Sequence, residues 1–118
     1  MSTRSVFRYE HPETGKGPYN TVEGLNADHH VDTHPSWLYD GLSSCAFPRH
    51  SSYLSGCKSL EALRSWFEGW EDKLAADGFE IVVYIVPNTA VKYGLSRKQL
   101  AFDSTEVISR KVVELSYV

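Results

Sequence analysis

The residues able to do chemistry fall into four groups along the chain. Asp28, His29, His30, Asp32 and His34 put five metal-capable side chains within seven residues. Zinc and similar divalent ions accept such nitrogen and oxygen ligands. Adjacent His29 and His30 point apart in an extended strand, so both reach one ion only in a turn. The spacing matches no strict metal motif. A polar loop whose side chains satisfy nearby backbone groups is the favoured reading, and a metal is not expected. The second group pairs Cys45 or Cys57 with His50, His29 or His30 as nucleophile and base. Arg49, His50 and Lys58 supply the positive charge that lowers a thiol pKa, but an isolated cysteine is commonly a small buried hydrophobe. The third is Gly15-Lys16-Gly17-Pro18. A Gly-rich turn can offer N–H groups to phosphate, yet neither G-x-x-x-x-G-K-[ST] nor G-x-G-x-x-G is present, and an ordinary turn is favoured. The fourth is an arrangement: Arg8, Tyr9 and His11 on an opening strand, Tyr53 and Ser55 leading into a helix, and Gln99 on a late strand.

Those side chains need a scaffold, and the second half of the sequence supplies the clearer part of it. Leu60, Leu63, Phe67, Trp70 and Leu74 recur at helical spacing, with Trp66 widening the stripe. This predicts one principal amphipathic helix over about 59–76, capped by Ser59 and closed near Gly78. Gly69 would lie inside it, at a cost of about 1 kcal/mol relative to Ala. Residues 79–86 are apolar on both faces and predict a central strand. Strands are also expected over 5–11, 91–93, 99–102 and 112–117, with a turn at 87–88 and a helical turn over 105–110. In the first strand Phe7, Tyr9 and His11 share one face, and Val6, Arg8 and Glu10 the other. Residues 20–52 carry Gly24, Pro35, Gly41 and Pro48 and read as a long irregular region. The expected fold class is α+β, with a mixed, mainly antiparallel sheet, one principal helix and a loop-rich first half.

Composition narrows the function. The 118 residues fit a single α+β domain over 1–118, large enough to be stable without disulfide or metal. The net charge is −3, so the basic footprint of a nucleic-acid binder is absent. The longest apolar run, 81–86, is too short to span a bilayer. Two cysteines without a secretory leader predict reduced thiols and a cytoplasmic protein. Seven Tyr, five Phe and three Trp can fill a core or line a site that stacks planar ligands.

The stretches FRYEHPETGKGPYN, SGCKSLEALRSWF, GFEIVVYIVP and KQLAFD resemble small phage- and prophage-encoded proteins. That likeness implies no particular activity, and places the protein in host cytoplasm. More distantly, the layout is similar to ADP-ribosyltransferase-like domains. In those, a first strand carries an Arg or His that holds NAD, a Ser-bearing strand leads into a helix, and a late strand carries a catalytic Glu. The resemblance gives Arg8 or His11 the first role, Ser55 the second and Gln99 the third. Tyr9, His11, Tyr19 and Tyr53 would join Arg8 in binding NAD. Gln99 departs from the pattern: it can hydrogen-bond a ribose hydroxyl but brings no carboxylate charge. Glu106 is a fallback acid.

Three functions follow as expectations. The first is a nucleotide-binding or NAD-processing protein, with NAD or ADP-ribose as ligand. The second is a non-catalytic protein that inhibits a host or defence protein, using its acidic charge and the aromatics Trp37, Tyr39 and Tyr53. The third is a metal-dependent enzyme built on residues 28–34. For Arg8, the alternative to holding phosphate is pairing with Glu10 on an exposed strand, a contact of roughly 0–1 kcal/mol.

Overall fold

The computed structural model describes residues 2–15, 17, 18, 42 and 52–113. Strand β1 spans Thr3–Glu10 and β2 spans Tyr53–Gly56. Helices α1 (Leu60–Trp66) and α2 (Glu71–Ala76) follow, then β3 (Glu80–Pro87). A 3-10 turn over Asn88–Ala90 leads to β4 (Val91–Tyr93). Strand β5 (Leu100–Asp103), a second 3-10 turn (Ser104–Glu106) and β6 (Ser109–Val112) complete the described part. The strands form two three-stranded antiparallel sheets, ordered β1-β3-β6 and β2-β5-β4. The α+β class and the central position of β3 agree with the sequence.

The expected helix over 59–76 is two short helices. Ser59 accepts from the Ala62 N–H at 3.0 Å and caps α1, with Glu61 in its first turn. Gly69 adopts φ +88, a left-handed conformation that no helix interior contains, and the chain turns there before α2 begins. The apolar stripe survives the break. Leu63, Trp66, Phe67 and Leu74 are all buried, because Phe67 caps α1 and still points inward. The expected helical turn over 105–110 is also replaced. Asp103 caps a shorter turn by accepting from Thr105, and β6 spans Ser109–Val112. Of the strand expected over 112–117, residues 114–117 lie outside the described residues.

Alternation along β1 and β3 sends side chains to two different cores. On one face of β1-β3-β6, Tyr9 and Ile81 pack with Cys57, Leu63, Trp66, Phe67, Leu74 and Phe79 beneath the helices. On the other, Val6, Val82, Tyr84 and Val86 meet Leu100 and Phe102 of the second sheet. Among the described residues, one β-bridge joins the backbones of the two sheets. Phe7 and Cys57 exchange two backbone hydrogen bonds of 2.8 Å each. That junction brings Gly56 so near β1 that a Cβ there would lie 2.4 Å from Val6 Cγ1 and 3.0 Å from the Phe7 carbonyl oxygen. The strand crossing therefore requires glycine at 56.

Candidate functional site

A pocket opens beside the β1–β2 junction. Its walls include Arg8, Tyr9, Ser55, Trp66, Phe67 and Gln99. The interior is small, about 30 Å³, with room for little more than a water-sized group. Strand β1 delivers Arg8 and Tyr9, β2 delivers Ser55, α1 and its cap deliver the two rings, and Gln99 directly precedes β5. Gly17 closes over the top: a Cβ on it would stand 3.2 Å from Arg8 Nη2.

Arg8 is the charged wall, and only 5% of it is exposed. Its Nη1 donates to the Ser55 carbonyl at a long 3.4 Å. Its Nε lies 3.0 Å from Glu10 Oε2. That contact is a charge contact, since the Nε–H is not aligned for a hydrogen bond. Nη2 has no hydrogen-bond partner among the described residues. Burial pushes the guanidinium below its ordinary pKa, and the Glu10 charge opposes that shift. An arginine keeps its proton in such a setting. Among the described residues, the site therefore presents a buried cation with Nε against Glu10, Nη1 on Ser55 and Nη2 without a hydrogen-bond partner.

Glu10 is itself buried, 2% exposed. Its Oε2 also accepts from the Tyr84 hydroxyl, and its Oε1 accepts from Arg110 Nη2 at 3.0 Å. The Arg8–Glu10 pairing expected on an exposed strand is thus real but buried, because the second sheet covers that face. Burial and the bond to Glu10 push the Tyr84 hydroxyl above its ordinary pKa. Hydrogen bonds to Glu10 and Tyr84 push the Arg110 guanidinium up.

The remaining sequence candidates are placed as follows. His11 lies beyond the end of β1, with its ring edge-on to Phe79 at 5.4 Å and its Nδ1 accepting from Glu13 at 3.3 Å. It serves the turn after β1 and does not line the pocket. Tyr53 packs on Leu42 and Ala101, with Lys92 Nζ 5.7 Å above its ring, away from the pocket. Glu106 is exposed on the second 3-10 turn. Cys57 does line the pocket. Burial pushes its thiol up to about 12, the opposite of what a nucleophile needs. Tyr19, the cluster His29, His30, Asp32 and His34, and Trp37, Tyr39, Cys45, Arg49 and His50 lie outside the described residues. Among the described residues no group of three or more His, Cys, Asp or Glu could hold a metal ion. Among them, too, no helix is long and apolar enough to cross a membrane.

Residues 1–116 match the family described as bacteriophage T4 Y00F protein. The chain belongs to that family. Membership in the Y00F family bears out the phage resemblance read from the sequence. No curated protein and no solved structure matches the chain significantly. The comparisons therefore lend nothing to the ADP-ribosyltransferase likeness, and any ligand of this Y00F-family pocket has to be argued from its side chains.

Sequence reasoning missed side chains both behind the pocket and in its wall. Tyr84 and Arg110 reach Glu10 only because the strand register sets Tyr84 opposite both Val6 and Arg110. Trp66 was legible as core but not as a pocket wall. The spacing of Arg8 and Glu10 on one face was the only advance signal.

Proposed function

We propose that this phage protein binds a phosphate-bearing nucleotide of the NAD or ADP-ribose class in the pocket beside the β1–β2 junction. The observation that carries the reading is Arg8, a buried guanidinium lining a pocket with an Nη2 that no described residue engages. Such a fork suits two parallel bonds to a phosphate. Gln99 offers an amide on the same wall, able to bond a ribose hydroxyl. Trp66 and Phe67 give the apolar floor on which a small-molecule site is ordinarily built. The interior takes only one small group of the ligand, and the larger part would lie along the mouth.

The reading is binding rather than group transfer. The described lining residues include no Asp or Glu, and a carboxylate is what an oxocarbenium-like state requires. Cys57, with its thiol pushed up to about 12, is no substitute nucleophile.

Calorimetric titration with NAD and with ADP-ribose tests this. Saturable binding is expected in the wild type, weakened at least about tenfold in Arg8→Lys, which keeps the charge but loses the planar fork. Gln99→Ala should weaken it less, and both variants should keep the wild-type circular dichroism spectrum. Absence of binding by the wild type at millimolar ligand would remove the nucleotide class. Inhibition of a host or defence protein would then be the reading to pursue.

A further inference from the structure

The carboxylate beside Arg8 is shared, and the sharing has a functional consequence. Two guanidiniums, Arg8 and Arg110, meet the single carboxylate of Glu10, each at 3.0 Å. The set therefore carries one net positive charge. Arg110 reaches it from β6, across the central strand, and its side chain is 41% exposed. It does not line the pocket.

We infer that Arg110, from outside the pocket, positions Arg8 for anion capture by holding the carboxylate that the two arginines share. A buried carboxylate left alone with one guanidinium closes on it as a bidentate pair, with two parallel N–H···O bonds. That geometry would consume the Nη donors of Arg8. Here Glu10 is oriented by other partners, and its carboxylate does not meet the guanidinium in that geometry. Oε1 is taken by Arg110, and Oε2 is shared with the Tyr84 hydroxyl. Glu10 is left touching Arg8 only at Nε, without an aligned hydrogen bond. The Nη end stays turned to the pocket, where Nη1 makes one long bond to Ser55. Arg110 thus acts as a positioning residue, and Tyr84 assists it.

The identity of the ligand rests on the nucleotide reading; the role of Arg110 needs only that the pocket accept an anion. Inorganic pyrophosphate and ADP-ribose are therefore titrated separately, by calorimetry, into the wild type and three variants. Arg110→Gln should weaken both ligands roughly tenfold, the scale of coupling between residues in one charged network. Arg110→Lys, which can still hold Oε1, should restore affinity to within about twofold of wild type. Lys111→Gln removes the neighbouring exposed charge from the opposite face of β6. It should leave both affinities within about twofold of wild type, which separates a specific role from a general loss of positive charge. The melting temperature should be the same in wild type, Arg110→Lys and Lys111→Gln. Arg110→Gln, which leaves buried Glu10 with one guanidinium fewer, should melt lower and is titrated well below its transition. In a Glu10→Gln background that still folds, Arg110→Gln should bring no further loss.

The inference is overturned if Arg110→Gln and Lys111→Gln behave alike, or if Arg110→Gln leaves affinity unchanged. Pyrophosphate binding with the Arg110 pattern, but no ADP-ribose or NAD binding, would sink the nucleotide reading and keep the role of Arg110. Absence of pyrophosphate and nucleotide binding alike would overturn both.

Discussion

The two faces of the β1-β3-β6 sheet solve the burial problem differently. Beneath the helices, Tyr9, Ile81, Leu63, Phe67, Leu74 and Phe79 make a core of rings and aliphatic chains. Tyr9 meets Phe67 edge-on at 5.1 Å, a favoured aromatic geometry. Toward the second sheet, Val6, Val82 and Val86 meet Phe102, but two positions along from Val6 the same face carries Arg8 and then Glu10. An apolar core asks only for volume and shape. A buried ion pair asks for a partner at every charge, and is weak evidence for stability because desolvation offsets the attraction. The difference teaches where to look for function: the pocket lies where the two faces meet, with Arg8 from the charged face and Tyr9, Trp66 and Phe67 from the apolar one.

If the sheet-covered face is the better packed, Phe102→Ala should be the most damaging substitution of all. Phe102 is fully buried in the core between the two sheets, where hydrogen-bonded strands on both sides limit collapse into a gap. A loss of about 4–5 kcal/mol is expected by urea denaturation. Phe67→Ala should cost about 3 kcal/mol, since Phe67 lies in the connection after α1, where the chain can settle into the space. Equal losses would erase the contrast between the two faces.

Glu10→Ala probes the charged end of the same face. Removing one partner of a buried pair leaves Arg8 uncompensated, and about 3 kcal/mol should be lost. A change below about 1 kcal/mol by the same denaturation would mean that solvent reaches Arg8 far more freely than its burial implies.

Alkaline pH sets the helix-covered face against the charged one. Cys57 belongs to the apolar cluster, and its folded pKa of about 12 stands above an ordinary 9.0. A pKa raised by folding contributes stability that is complete below pH 9 and fades as the pH climbs toward about 12. The Tyr84 hydroxyl, also pushed up, works in the same direction from the other face. Comparing Cys57→Ala with the wild type across pH 8–11.5 isolates the thiol, and the variant should lose stability less steeply. Parallel curves would show that Cys57 is wetter than its surroundings suggest.

The contrast between the faces also marks what the sequence could tell. Alternation gave the β1 faces correctly, with Phe7 and Tyr9 opposed to Val6, Arg8 and Glu10, and the apolar run over 79–86 gave the central strand. Ser59 was legible as a cap because its chemistry is local. The pocket was legible only as three separate positions, Arg8, Ser55 and Gln99, suggested by a layout. Their meeting depends on the Phe7–Cys57 junction, a contact 50 residues apart in sequence that no periodicity encodes. Arg110 was out of reach for the same reason: its tie to Glu10 spans |i−j| = 100. His11 looked like a site residue by type and position, yet the turn after β1 uses its ring for packing and its Nδ1 for the backbone.

The smallest expected effect concerns the break between the two helices. Periodicity alone predicts continuity through Gly69, because Phe67, Trp70 and Leu74 keep helical spacing. The chain breaks there instead, with Gly69 at φ +88. A Cβ at this position would meet nothing within 4 Å, so Gly69→Ala tests backbone conformation without a steric clash. An alanine held at this φ is disfavoured by about 1–2 kcal/mol. Against that, alanine favours the helix by roughly 1 kcal/mol relative to glycine, so a continuous helix becomes more competitive. If the break is imposed by packing, Leu74 and Phe67 hold the turn and stability falls by about 1 kcal/mol, with an unchanged helical signal in circular dichroism. If glycine alone imposes it, the helical signal rises and stability is unchanged or higher. The first outcome is expected. Both Phe67 and Leu74 are buried in one core from either side of the break; a straight helix would keep them on one face, but it would shift α2 from the seat that Leu74 now fills beneath the helices.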